Sequence, residues 1–177
     1  MCGIMGYYAF SRQRPNKAQL EEMFQLLESR GTDASGFAYL DKGRLVVHKD
    51  AVRATVLLGT QEWMRLKLPQ IMIFHTRMKT QGSEKNNANN HPLFNKAGLA
   101  LVHNGMIHND REIFARKHRD AEVDSEAILE VLASKREGDR IQDLFESLDG
   151  SFAIGIIEAA QPDKLTLVKK DNPIELY

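Results

Sequence analysis

The chain carries one cysteine, at position 2. A single cysteine forms no internal disulfide, so nothing covalent staples the fold and a buried apolar core must hold it. The 177 residues, 42% of them hydrophobic, are enough for such a core in one domain spanning residues 1–177. Lys and Arg total 24, matched by 24 Asp and Glu. That balance argues against a nucleic-acid or membrane-surface partner, which a basic excess would serve. There is no apolar run of about 18 residues to span a bilayer and no basic-then-apolar leader. A cytoplasmic location is the expectation.

Position 2 also gives the cysteine a chemical meaning. Methionine aminopeptidase removes Met1 when the next residue is small, so the expected mature chain begins Cys2-Gly3-Ile4. The thiol and a free α-amine then belong to one residue. A thiol has an ordinary pKa near 8.5 and an α-amine one of about 7.7–8.0. The amine is thus substantially neutral near neutral pH and can act as general base for the thiol without a histidine.

The apolar pattern places the remaining candidates. Ile4–Phe10 reads as a strand leading out of the terminus. Lys17–Arg30 reads as a helix with Leu20, Met23, Phe24 and Leu27 on one face, stopped by Gly31. Gly36–Leu40 and Arg44–Lys49 flank Asp41-Lys42-Gly43 as a hairpin. Ala51–Leu66 reads as helix broken at Gly59. Residues 71–75 and 99–103 are short apolar runs expected as buried strands, the second ending at an Asn104-Gly105 turn. Residues 80–91, rich in Asn and Gly, read as loop.

Asp110–His118, Ser125–Glu137 and Arg140–Leu148 read as helices, the middle one capped by Asp124. Ser151–Glu158 and Leu165–Lys169 read as strands around Gln161-Pro162-Asp163, and Ile174–Tyr177 starts a last one. Strands at both ends with helices between them predict an α+β fold.

An acyl-transfer nucleophile needs donors for the developing oxyanion. Asn104 offers a side-chain amide and Gly105 an unobstructed backbone N–H. Arg77, after the residue 71–75 strand, can grip a carboxylate in a bidentate fork, with the Thr80 hydroxyl nearby. Asp124 can pair with an ammonium group or cap its helix. His103 and His108 are five apart, and neither Cys-x-x-Cys nor His-Glu-x-x-His occurs, so no metal and no cofactor are expected. There is no phosphate-cradling Gly-x-x-x-x-Gly-Lys-[Ser/Thr] loop and no Gly-x-Ser-x-Gly elbow.

Six segments in order carry a family resemblance: Cys2-Gly3-Ile4, Arg30-Gly31-Thr32-Asp33-Ala34-Ser35-Gly36, the residue 75–82 segment His-Thr-Arg-Met-Lys-Thr-Gln-Gly, Asn90-His91-Pro92, His103-Asn104-Gly105 and Asp124-Ser125-Glu126. Together they resemble the class II glutamine amidotransferases, the N-terminal-nucleophile glutaminase domains. The order and spacing are most similar to the glutaminase domain of glucosamine-6-phosphate synthase.

The resemblance implies an αββα sandwich of two antiparallel sheets between helical layers, here shortened at its C-terminal end. It implies Cys2 as nucleophile, Asn104 and Gly105 as oxyanion hole, and Arg77 with Thr80 on the α-carboxylate of L-glutamine. Asp124 would hold the α-ammonium, and Arg30 would support the site around Cys2. It further implies a synthase partner chain, or a domain outside this sequence, that accepts the ammonia. Met78 stands where the glucosamine-type pattern has tryptophan. Two other readings stay open: an amidase for a different amide, and a catalytically silent regulatory or assembly module that keeps the fold.

Overall fold

A computed structural model describes residues 2–10, 14–134 and 140–177. Two four-stranded antiparallel sheets are stacked face to face, with helices on their outer faces. The first sheet has the order β1-β4-β2-β3, built from β1 (Gly3–Tyr8), β2 (Ala34–Asp41), β3 (Arg44–Asp50) and β4 (Ile71–Arg77). The second has the order β5-β6-β7-β8, built from β5 (Leu93–Phe94), β6 (Leu99–Ile107), β7 (Gly150–Glu158) and β8 (Gln161–Lys170). This is the α+β, αββα arrangement expected from the sequence. Among the described residues no helix is long and apolar enough to cross a membrane.

Three buried clusters correspond to the three interfaces. Between the sheets lie small and β-branched side chains: Ala38, Ile71, Ile73, Ala100, Val102 and Ile157. Their modest size lets the two pleated faces approach closely. Outside the first sheet, α1 (Lys17–Leu26), α2 (Ala54–Leu58) and α3 (Gln61–Met64) bury Leu20, Phe24, Leu57 and Trp63 against Phe37 and Phe74. Outside the second, α5 (Ser125–Ser134) and α6 (Arg140–Ser147) bury Ile128, Leu132 and Leu144 against Leu101, Phe152 and Ile154. A shorter helix, α4 (Asp110–Ile113), precedes them.

Most elements fall where the pattern puts them. The β2–β3 hairpin turns at Lys42 (φ 50°) and Gly43 (φ 77°), the pair of left-handed residues that a two-residue type I′ turn requires. Asn16 starts α1 by accepting from the Ala18 N–H at 2.9 Å.

Five expectations need correction. The helix after Asn16 ends at Leu26 and tightens into a 3-10 turn, Leu27–Arg30. Met23 lies on its solvent side, 53% exposed, because the buried face is narrow and follows Leu20 and Phe24. Asp110–His118 is helical only to Ile113, beyond which the chain turns. Gln161-Pro162-Asp163 belongs to β8 and not to a turn, since Glu158 pairs with Gln161 across Ala159-Ala160. Pro162 is tolerated because β8 is an edge strand. Ile174–Tyr177 forms no strand. The stretch expected to continue α5 to Glu137 lies outside the described residues.

Candidate active site

Cys2 sits immediately before β1, and its half-buried thiol lies 3.6 Å from the Met78 carbonyl oxygen. Two neighbours hold it there. Gly3 pairs with Thr76 of β4, and the Arg30 Nε–H donates to the Cys2 carbonyl at 3.0 Å. Arg30 closes the 3-10 turn, and Gly31 follows with its backbone pressed on β4. A Cβ on Gly31 would stand 2.5 Å from the Arg77 carbonyl oxygen and closer still to Arg77 C and Met78 N. With φ at 173° Gly31 is simply extended. It stops the helix not by a left-handed cap but because only a bare Cα fits against the strand.

Burial raises the Cys2 thiol above its ordinary pKa. The positive charge of Arg77 opposes that shift and the carboxylate of Asp124 adds to it, so both charged groups act on the sulfur. Arg77 ends β4 and is only 3% exposed. Its Nη1 donates to the Asn90 Oδ1 at 2.8 Å, and its Nη2 donates to the carbonyls of Gln81 (2.5 Å) and Gly82 (2.9 Å). It is therefore the anchor of the 78–91 loop as well as a cation acting on the thiol. Thr80, on that loop, is exposed and makes no hydrogen bond among the described residues.

Asp124 does not cap α5 with its side chain. Its Oδ2 accepts the Ile107 N–H at 2.7 Å, which ties the carboxylate to the end of β6. Its own N–H donates to the Gln81 Oε1 at 3.1 Å, linking it to the Arg77-anchored loop.

Asn104 and Gly105 lie inside β6 and not at a turn after it. The pairing with β7 continues without a break from Leu99 opposite Glu158 to Ile107 opposite Gly150. Gly105 takes φ 148°, and a Cβ there would meet His103 Nε2 at 2.8 Å and Phe152 Cα at 2.9 Å. Glycine is thus required twice over, by a positive φ and by the Ser151 carbonyl oxygen, which a Cβ would meet at 2.0 Å. The Asn104 side-chain amide has no hydrogen-bond partner among the described residues.

Beneath these strands lies a histidine group that sequence reasoning assigned no role. His75, His91 and His103 are buried, and the His75 and His91 rings stack at 4.2 Å. The His75 Nε2–H donates to the His103 carbonyl at 3.1 Å, and His103 Nδ1 lies 2.7 Å from the Ser125 hydroxyl. The other nitrogens, His75 Nδ1, both of His91 and His103 Nε2, have no hydrogen-bond partner among the described residues. Burial lowers the pKa of all three, that of His75 to about 3. Nearby, desolvation brings Lys49 down to about 8, and its Nζ donates to the Asn90 carbonyl. Asn90 thus receives Arg77 on its side chain and Lys49 on its backbone. Among the described residues no group of three or more His, Cys, Asp or Glu could hold a metal ion.

In this two-sheet sandwich a cysteine stands immediately before the first strand, at the edge of its sheet. Residues 75–173 match the family model described as a glutamine amidotransferase domain, and the chain belongs to that family. Among curated relatives, glutamine–fructose-6-phosphate aminotransferase [isomerizing] of Clostridium perfringens is 35% identical across 98% of this chain. The protein of the same name from Pyrococcus horikoshii is 33% identical, also across 98%. The chain spans 29% and 30% of the lengths of these two proteins.

Two solved structures share the fold. Glutamine phosphoribosylpyrophosphate amidotransferase from B. subtilis, complexed with ADP and GMP, has a TM-score of 0.65 at 21% identity, over 89% of this chain and 35% of its own. A structure described as the allosteric regulatory enzyme of purine biosynthesis has a TM-score of 0.68 at 20% identity, over 88% and 35%.

Proposed function

We propose that residues 1–177 act as one glutaminase domain, with Cys2 attacking the side-chain amide of free L-glutamine. The observation that carries this reading is geometric: the Cys2 thiol lies against the Met78 carbonyl, next to Arg77 at the end of β4, and Gln81 ties that cation to Asp124, its carbonyl accepting from Arg77 Nη2 and its Oε1 from the Asp124 N–H. Free glutamine presents the opposite charges on its α-carbon, whereas a glutamine inside a protein presents neither. An Arg/Asp pair therefore selects the unattached amino acid. Arg77 keeps its Nε–H and one Nη1–H for the substrate carboxylate, since its other donors hold the loop. Thr80, exposed on that loop, adds a hydroxyl near the same carboxylate.

In this mechanism the α-amine of processed Cys2 takes the thiol proton as sulfur bonds to the amide carbon. The Asn104 side-chain N–H and the Gly105 N–H receive the oxyanion. The proton passes from the α-ammonium to the leaving nitrogen, the C–N bond breaks, and ammonia departs from a γ-glutamyl thioester. Water then adds, sulfur leaves and is reprotonated, and glutamate is released. The ammonia goes to an acceptor handled by a synthase domain or partner chain. The names and greater lengths of the curated relatives support that pairing.

The test is glutamate release from free glutamine by protein verified by intact mass to begin at Cys2. Activity is expected to vanish in Cys2→Ala and to be absent on glutamine blocked at its amine and carboxyl groups. Equal turnover of the blocked amide would favour an amidase of another specificity. No turnover in processed protein would refute the reading.

A further inference from the structure

The donor proposed at Gly105 is a backbone N–H, and a backbone donor points where its peptide plane points. That plane also contains the Asn104 carbonyl. In a trans peptide the C=O and the following N–H are held antiparallel, so fixing one fixes the other. Glycine makes such a fixing necessary. With no Cβ at Gly105, little intrinsic resistance opposes rotation of the preceding peptide. On one side Asn104 pairs with Ala153 of β7; on the other, β5 pairs only with Leu101 and Ala100 and gives no support at Asn104.

A side chain 68 residues away adds a second hold to that of the β7 ladder. The Asn172 Nδ2–H donates to the Asn104 carbonyl oxygen at 2.8 Å. The backbone brings it there by a specific route. After β8 the chain reaches Asp171, which bridges to Phe152 of β7 and takes φ 55°. Asp is one of the few side chains that tolerate this left-handed conformation. The reversal carries Asn172, half-buried, back towards β6. A donor on the carbonyl also polarises the peptide and strengthens the N–H on its far side as a donor.

We infer that Asn172 is a positioning residue for the oxyanion hole: it clamps the Asn104–Gly105 peptide so that the Gly105 N–H faces the reacting carbonyl. This inference rests on the glutaminase reading. A clamp on a donor used mainly in the transition state affects turnover and leaves ground-state binding of glutamine nearly intact.

The experiment measures kcat and KM for free glutamine in processed wild type, Asn172→Ala, Asn172→Asp and Asn172→Gln, with thermal unfolding of each. Removing an oxyanion donor outright costs about 10²–10³ in rate, so loosening one is expected to cost about 10–100-fold in kcat. KM is expected to stay within about threefold. Asp, nearly the same shape but with no N–H to donate, is expected to fall with Ala, and Gln to recover at least half of the loss on a logarithmic scale. If Ala fails to fold, Asp against Gln carries the same comparison.

Wild-type kcat in Asn172→Asp, a loss confined to KM, or equal losses in Asp and Gln would each overturn the clamp while leaving the glutaminase reading in place. An inactive processed wild type would instead remove the reading on which it stands.

Discussion

Replacing Gly31 with alanine tests how the nucleophile is held, and its cost can be worked from the packing. The added methyl group would stand 2.5 Å from the Arg77 carbonyl oxygen and nearer to Arg77 C and Met78 N. All three are backbone atoms of the β4 end, so no side chain can swing aside. The 3-10 turn must lift off the strand, straining the Asp33 N–H to Arg77 carbonyl bond of 3.0 Å. Overpacking of this kind costs about 1–3 kcal/mol, and a clash with backbone belongs at the upper end.

In a chain of this length about 3 kcal/mol lowers Tm by about 6–12 °C. Gly59 is the control. Its φ is −78°, and a Cβ there meets only the Val56 carbonyl oxygen at 3.3 Å. Gly59→Ala is expected to stabilise by about 0.4–1 kcal/mol through the unfolded chain. Thermal unfolding followed by circular dichroism separates the two. Arg30 grips Cys2 from the lifted turn, so Gly31→Ala should also lose glutaminase activity at temperatures where it remains folded. A Gly31→Ala protein melting within about 2 °C of wild type would show that the seam yields, and the argument for Gly31 would fail.

Acid is a second probe. Burial holds His75 (to about 3), His91 and His103 below their ordinary pKa, so below about pH 6.5 the unfolded chain binds protons that the native one does not. Stability should therefore fall as pH drops from 6.5 towards 3, with a net uptake of protons on denaturant unfolding near pH 5 that is smaller in His91→Leu. A stability flat between pH 4.5 and 6.5 would contradict this. Asp124→Asn keeps an oxygen for the Ile107 N–H but removes the charge for an ammonium group. Its KM for glutamine should rise about 10–100-fold, the worth of one charge-assisted hydrogen bond, with a smaller change in kcat. Arg77→Lys should raise KM and also loosen the 78–91 loop, seen as faster proteolysis there, because one ammonium cannot span Asn90, Gln81 and Gly82 together.

Much of the sandwich was legible because burial on both faces turns β4 and the start of β6 into short unbroken apolar runs. Cys2, Arg30, Arg77 and Asp124 were legible as candidates because local segments carry them. The errors came where distant partners overrule local preference. Asn104-Gly105 has the composition of a turn and Gly105 does take a positive φ, yet pairing with β7 keeps both residues inside the strand. Asp124 has the composition of a cap, yet the Ile107 N–H claims its carboxylate. Met23 fits the helical period but falls outside the narrow stripe covered by the first sheet. Asn172 left no trace in the sequence, since its value lies in one contact across 68 residues and a left-handed step at Asp171.

No strand of either sheet is borrowed from the other half of the chain. Residues 3–77 complete the first sheet and residues 93–170 supply the second. Cys2 and Arg77 belong to the earlier half, Asn104, Gly105 and Asp124 to the later. In the proposed mechanism the thiol, its α-amine base and Arg77 thus leave the ribosome first, while the oxyanion donors and the carboxylate for the ammonium group arrive only with the second layer. On that mechanism, reactivity requires both layers to be in place. Two separately expressed halves, cut between β4 and β5, should each be inert and regain chemistry only on reassociation.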